Sequence, residues 1–170
     1  MSTSSGLLAP AGSRGTTRLV ALWVFAAAMG WLEAVVVVYI RGLLGFAHGQ
    51  PVPAAAETME RFRSLPWLLA TEQSREVATL LMLAAVAWLA GSRFLTRIGA
   101  FLMIFGIWDL TYYVGLFAQV RWPPSLATMD LLFLIPPHPW WYQPVWLPIA
   151  VSCAMIVTGF RLFRIDSTKP

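Results

Sequence analysis

Leu19 to Ile40 reads LVALWVFAAAMGWLEAVVVVYI, a run of 22 residues interrupted by a single ionisable side chain, Glu33. At about 1.5 Å per residue, a helix of that length crosses the ~30 Å hydrocarbon core of a bilayer. The chain is therefore expected to live in a membrane. Glu33 sharpens the constraint, because a carboxylate in a spanning helix costs roughly 2.5 kcal/mol or more unless it is protonated, paired or hydrated. It demands a partner or a task.

Composition supports the same reading. Of 170 residues, 58% are hydrophobic and 12% charged, and the mean hydropathy is +0.67, which leaves no room for a water-soluble domain. Nine Trp and ten Phe suit headgroup belts as well as packing. The formal charge of +4 comes from scattered arginines, so it speaks to topology and not to a nucleic-acid partner. Cys153 is the single cysteine and cannot close an intramolecular disulfide.

Four spans are expected: Leu19 to Ile40, about Ala70 to Ala90, about Ile98 to Val120, and about Val145 to Phe163. The first 17 residues, small and turn-forming, read as a disordered cytoplasmic tail, residues 18–164 as one transmembrane domain, and residues 165–170 as a second cytoplasmic tail. The run at Leu19 is longer than the h-region of a cleaved signal peptide. With four spans, Arg14, Arg18, Arg93, Arg97, Arg161, Arg164 and Lys169 share one side, against Arg41, Arg61, Arg63, Arg75 and Arg121 on the other. Seven against five places both termini in the cytoplasm.

Both outer connections are long. In AAAETMERFRSLPWLL, Met59, Phe62 and Leu65 recur every three residues, as in a short helix lying on the interface. Ser125 to Ile135, bounded by Trp122-Pro123-Pro124 and Pro136-Pro137-His138-Pro139, is too short to cross and is expected to be an interfacial or re-entrant helix, followed by an aromatic belt of Trp140, Trp141, Tyr142 and Trp146.

The polar residues fall in the outer half. Glu33 lies roughly 10 Å, Glu76 roughly 9 Å and Asp109 roughly 16 Å below the outer ends of their helices. Helical spacing joins Glu72, Arg75, Glu76 and Thr79 into one stripe, and Asp109, Tyr112 and Tyr113 into another. Such stripes should face each other, since lipid offers no hydrogen-bond partners. Glu33, Glu72, Arg75, Glu76, Asp109, Tyr112 and Tyr113 are the candidate ligand-binding residues. One structural reading has Arg75 bind Glu33 and Asp109 together and lock three helices. The functional reading counts four acids against Arg75, with Arg41 reaching in from the edge, so that a surplus carboxylate must hold a proton or a cation.

Other chemistry is thinly signalled. His48, His138 and Asp130 offer mixed imidazole and carboxylate ligands, but no ExxH or HExxH spacing occurs, and His138 between prolines suits a rigid surface turn. No metal site, nucleophile elbow, Walker loop or dinucleotide fingerprint is expected, and no cofactor is specified. Tyr112 and Tyr113 also suit an interface anchor.

The strings GWLEAVVVVYIR, EQSREVATLLML, FGIWDLTYY and WPPSLATMDLLFLIP resemble small bacterial multipass membrane proteins over most of the chain beyond the tail. The resemblance implies the span count and a bacterial inner (plasma) membrane; it implies no activity and transfers no catalytic residue. The expected protein is thus an all-α, four-helix membrane bundle that binds a proton, cation or polar ligand. The alternatives are a structural or assembly subunit of a larger membrane complex and, third, an intramembrane enzyme. Its partners would be the lipid bilayer and a membrane protein or a second copy of itself, not nucleic acid.

Overall fold

The computed structural model describes residues 11–46 and 54–167, without the side chains of residues 11–14, 55 and 165–167. Five α-helices follow in order: α1 (Ala11–Leu43), α2 (Ala55–Ser64), α3 (Pro66–Ala90), α4 (Phe94–Val120) and α5 (Trp146–Ser167). A short antiparallel pair, β1 (Met129–Leu131) and β2 (Tyr142–Pro144), lies between α4 and α5. Three helices are long and apolar enough to cross a membrane, through Gly15–Leu43, Phe94–Val120 and Trp146–Arg164. The 25-residue α3 has the length, but its only long uncharged stretch is Val77–Ala90, about 21 Å of helix.

Two expectations change. Helix α1 covers Ala11–Leu43, so residues 11–17, read as tail, are helical. The segment Ser125 to Ile135 is not a helix, interfacial or re-entrant. It holds a turn and β1, which pairs Met129, Asp130 and Leu131 with Pro144, Gln143 and Tyr142. Prolines at both ends disfavour helix, and the Asp130 carboxylate accepts the neighbouring Leu131 N–H at 2.9 Å, a local bond that competes with helical pairing. The belt also divides. Trp140 and Trp146 are exposed, while Trp141 donates its indole N–H to the Pro136 carbonyl at 3.0 Å and packs its ring edge on Phe133.

Helix α4 is the hub and packs on α1, α3 and α5. Small residues allow it. A Cβ on Gly106 would stand 2.5 Å from the Ser152 carbonyl oxygen of α5, and one on Gly30 would be 2.8 Å from the Thr111 side chain of α4. These approaches place Ser152 and Glu33 against the same central helix. The core built on α4 contains Met103, Ile104, Trp108, Leu22, Leu83 and Phe163. Helix α2 turns Met59, Phe62 and Leu65 toward Ile40, Leu44, Leu68 and Leu134, and Arg61 donates to the Leu44 carbonyl at 2.9 Å, capping α1.

Gly106→Ala should force α4 and α5 apart and cost about 1–3 kcal/mol. Thermal unfolding in detergent reads this directly, and a melting temperature equal to that of the wild type would show that the two helices yield without cost.

Candidate functional site

Helix α3 buries one stripe: Leu68, Glu72, Glu76, Thr79, Leu83 and Ala87. The spacing is that of an ordinary amphipathic helix, yet two acids stand where apolar residues normally sit. Arg75, beside this stripe, joins α3 to α1. Its Nε and Nη2 donate to the two carboxylate oxygens of Glu72, at 2.8 and 2.5 Å, and its Nη1 donates to Glu33. The bidentate fork neutralises Glu72, and the remaining donor holds Glu33 across the helix interface.

The two acids that one structural reading gave to Arg75 are separated. Glu33 pairs with it, but Asp109 faces α5, where the Ser152 hydroxyl donates to it at 2.8 Å. Geometry explains the split. Gly106, three residues before Asp109, brings the α5 backbone in at Ser152. Among the described residues, Asp109 has no cationic side chain within salt-bridge distance. Glu76 is occupied differently again. Both of its oxygens accept the Leu134 backbone N–H at 3.0 Å, and Gln73 donates to the Leu134 carbonyl at 3.0 Å. Two α3 side chains thus take the place of a strand partner for Leu134.

The hairpin is tied to α4 as well. Tyr113 donates its hydroxyl to Asp130 at 3.0 Å and stacks on the fully buried Trp122. The Arg41 guanidinium lies 4.8 Å from the Trp122 ring centre. Burial pushes the Asp130 carboxyl up to about 6, against the opposing pull of the Tyr113 hydroxyl, the Leu131 N–H and the Arg41 charge.

These groups surround a cavity of about 470 Å³. All seven residues singled out from the sequence line it, and so do Arg41, Asp130 and Ser152. Among the described residues its charged lining therefore comprises five carboxylates (Glu33, Glu72, Glu76, Asp109, Asp130) and two guanidiniums (Arg41, Arg75). A site of this size and mixed polarity has the dimensions of a small-molecule pocket. Ser152 was missed; a lone hydroxyl in the apolar run of α5 carries little signal without knowing that Gly106 packs there. Asp130 was weighed only as a metal ligand, because its segment was read as a helix.

No three His, Cys, Asp or Glu side chains among the described residues gather closely enough to hold a metal ion. His138 is exposed, and its Nδ1 accepts the Trp140 backbone N–H at 3.1 Å, as a turn residue would. His48 lies outside the described residues. No protein-family model, curated protein or solved structure matches the chain.

Arg75→Leu should destabilise the fold by roughly 3–5 kcal/mol, since it leaves Glu33 and Glu72 buried without their cation. Chemical unfolding in detergent measures the loss, and a change below 1 kcal/mol would place the pair in solvent. Asp130 predicts a pH effect of opposite character. Its folded value, about 6, exceeds the ordinary 3.8, so its favourable contribution is complete below about pH 4 and is lost as pH rises through 6. Asp130→Asn should remove that share of the decline, about 2 kcal/mol between pH 4 and 7. Parallel wild-type and variant stability curves over this range would contradict the burial argument.

Proposed function

We propose that the chain is a four-span membrane protein whose outer half holds a binding site for a proton, a cation or another polar ligand. The observation that carries this reading is the charge asymmetry of the cavity, five carboxylates against two guanidiniums. Arg75 is committed to Glu33 and Glu72, and Arg41 acts on Asp130. Asp109 keeps only a hydroxyl donor among the described residues. A carboxylate so placed must take a proton or a cationic ligand to escape the cost of bare burial.

The fourth span is α3. Its charged side chains turn inward; from Val77 onward the exposed residues, Val77, Leu81, Met82, Trp88 and Leu89 among them, are apolar, and nearer its start the exposed Thr71 and Ser74 return their hydroxyls to the carbonyls of Trp67 and Thr71. The bias in basic residues then puts both termini in the cytoplasm and the cavity toward the outside. A second reading, a structural or assembly subunit, draws on the complete Glu33–Arg75–Glu72 network, which holds helices together without any ligand.

The amide variants separate the readings. Asp109→Asn should fold about as stably as the wild type, because an amide is nearly isosteric with a protonated acid, and should abolish stabilisation of the wild type by added cations or by a change of pH. Glu33→Gln should instead lower the melting temperature, since it breaks a charge pair. A wild type whose melting responds to neither cations nor pH would favour the structural subunit.

A further inference from the structure

The cavity is unlike a site for an inorganic ion. No three carboxylate, imidazole or thiol groups converge among the described residues, and the wall carries many aromatic rings. Nine aromatic side chains line it, including Phe105, Trp108, Tyr112, Tyr113, Phe133 and Trp141. Helical spacing sets some of these beside Asp109: Phe105 is one turn before it on α4, and Tyr112 and Tyr113 one turn after. A carboxylate in a cavity that aromatic side chains also line suits an ammonium whose substituents are apolar, because such a cation sheds its hydration easily and is attracted to π faces. Asp109 and Ser152 together offer at most three oxygen ligands, where calcium takes six to eight.

A second observation is independent of the acids. Trp108 is 7% exposed and lines the same cavity, yet its indole N–H has no hydrogen-bond partner among the described residues. Buried donors are almost always paired, and an unpaired one costs about 1–3 kcal/mol. Indole donates and cannot accept. The matching group must therefore be an acceptor oxygen. Trp108 also borders a satellite chamber of about 30 Å³ shared with Glu33, Arg75, Glu76 and Thr79, on the α3 side of α4. Asp109 faces α5 on the other side. A ligand that meets both must carry its charge and its acceptor at separate points.

We infer that the cavity binds an organic monocation, an ammonium with an apolar or aromatic body and a separate oxygen acceptor, with the ammonium at Asp109 and the acceptor on the Trp108 indole N–H. The inference rests on the binding reading above and narrows it to one ligand class.

Isothermal titration of the purified full chain in detergent tests it with two probes. Benzoylcholine carries a quaternary ammonium, a phenyl ring and an ester carbonyl; benzyltrimethylammonium lacks the carbonyl. Wild type should bind both saturably, one per chain, and should bind neither benzoate nor sodium or calcium ions. Asp109→Asn should weaken both cations about tenfold or more. Trp108→Phe should weaken benzoylcholine by about five- to tenfold and leave benzyltrimethylammonium unchanged. Cooperative melting checks that each variant folds, and the wild-type and Trp108→Phe titrations decide the matter if Asp109→Asn does not fold. The inference is overturned if wild type binds neither cation, if Asp109→Asn binds both as tightly as wild type, or if Trp108→Phe weakens the two probes equally. If sodium, calcium or protons stabilise wild type through Asp109 while the organic cations do not bind, the ligand class fails and the binding reading stands. If nothing binds, both fail.

Discussion

Arg75 is the group on which the arrangement depends. A guanidinium cannot lose its charge in a protein, so within an apolar bundle it must be matched by anions at fixed positions. Glu72 supplies one along the same helix, and Glu33 supplies the other from α1. Helix α3 packs on α4 through Leu83 and Ala87, and the pairing is what ties it to α1. Its direct packing against α1 is slight compared with the contact that α4 makes to α1 and α5, so the ion pair provides specific adhesion where interdigitated side chains do not. It also aims α3. With Glu72 and Arg75 held inward, Glu76 one turn later reaches the hairpin.

The hairpin shows the same principle applied to backbone. A strand pair of three residues each has too little ladder to hold itself together. The helices hold it in place: Glu76 and Gln73 bond the N–H and C=O of the buried Leu134, just beyond β1, and Tyr113 donates to the Asp130 side chain. Glu76 and Tyr113 lie on stripes that the sequence marks as polar, and both line the cavity, so two groups of the site also anchor the hairpin beside it.

Much of this was legible from the residue order. The apolar run with Glu33, the stripe at Glu72, Arg75 and Glu76, and the stripe at Asp109, Tyr112 and Tyr113 follow from helical periodicity and from the cost of polar groups in lipid, and the structure gathers all of them at one cavity. Pairing was less legible. Periodicity says which face a residue occupies, not which neighbour approaches closest, so it left open whether Asp109 shares Arg75 or stands surplus, and Gly106 settles the matter by admitting Ser152 of α5. The segment around Asp130 failed for another reason. Its apolar residues fit helix or strand equally well over so short a stretch, and the choice is made by a partner strand more than ten residues away at Tyr142–Pro144.

Charge divides the cavity into two unequal halves. On the α1 and α3 side each acid has a fixed donor: Glu33 and Glu72 have Arg75, and Glu76 has the Leu134 N–H. These bonds hold the scaffold, and a ligand displacing them would have to replace a bidentate guanidinium, which few small molecules can do. On the α5 side Asp109 accepts one neutral hydroxyl. A neutral donor lowers the cost of an ionised carboxylate far less than a guanidinium does, so Asp109, with a single hydroxyl, carries an unmet demand that Glu33 and Glu72 do not. Rigidity on one wall and unmet charge on the other is the combination that lets a site bind without losing its shape.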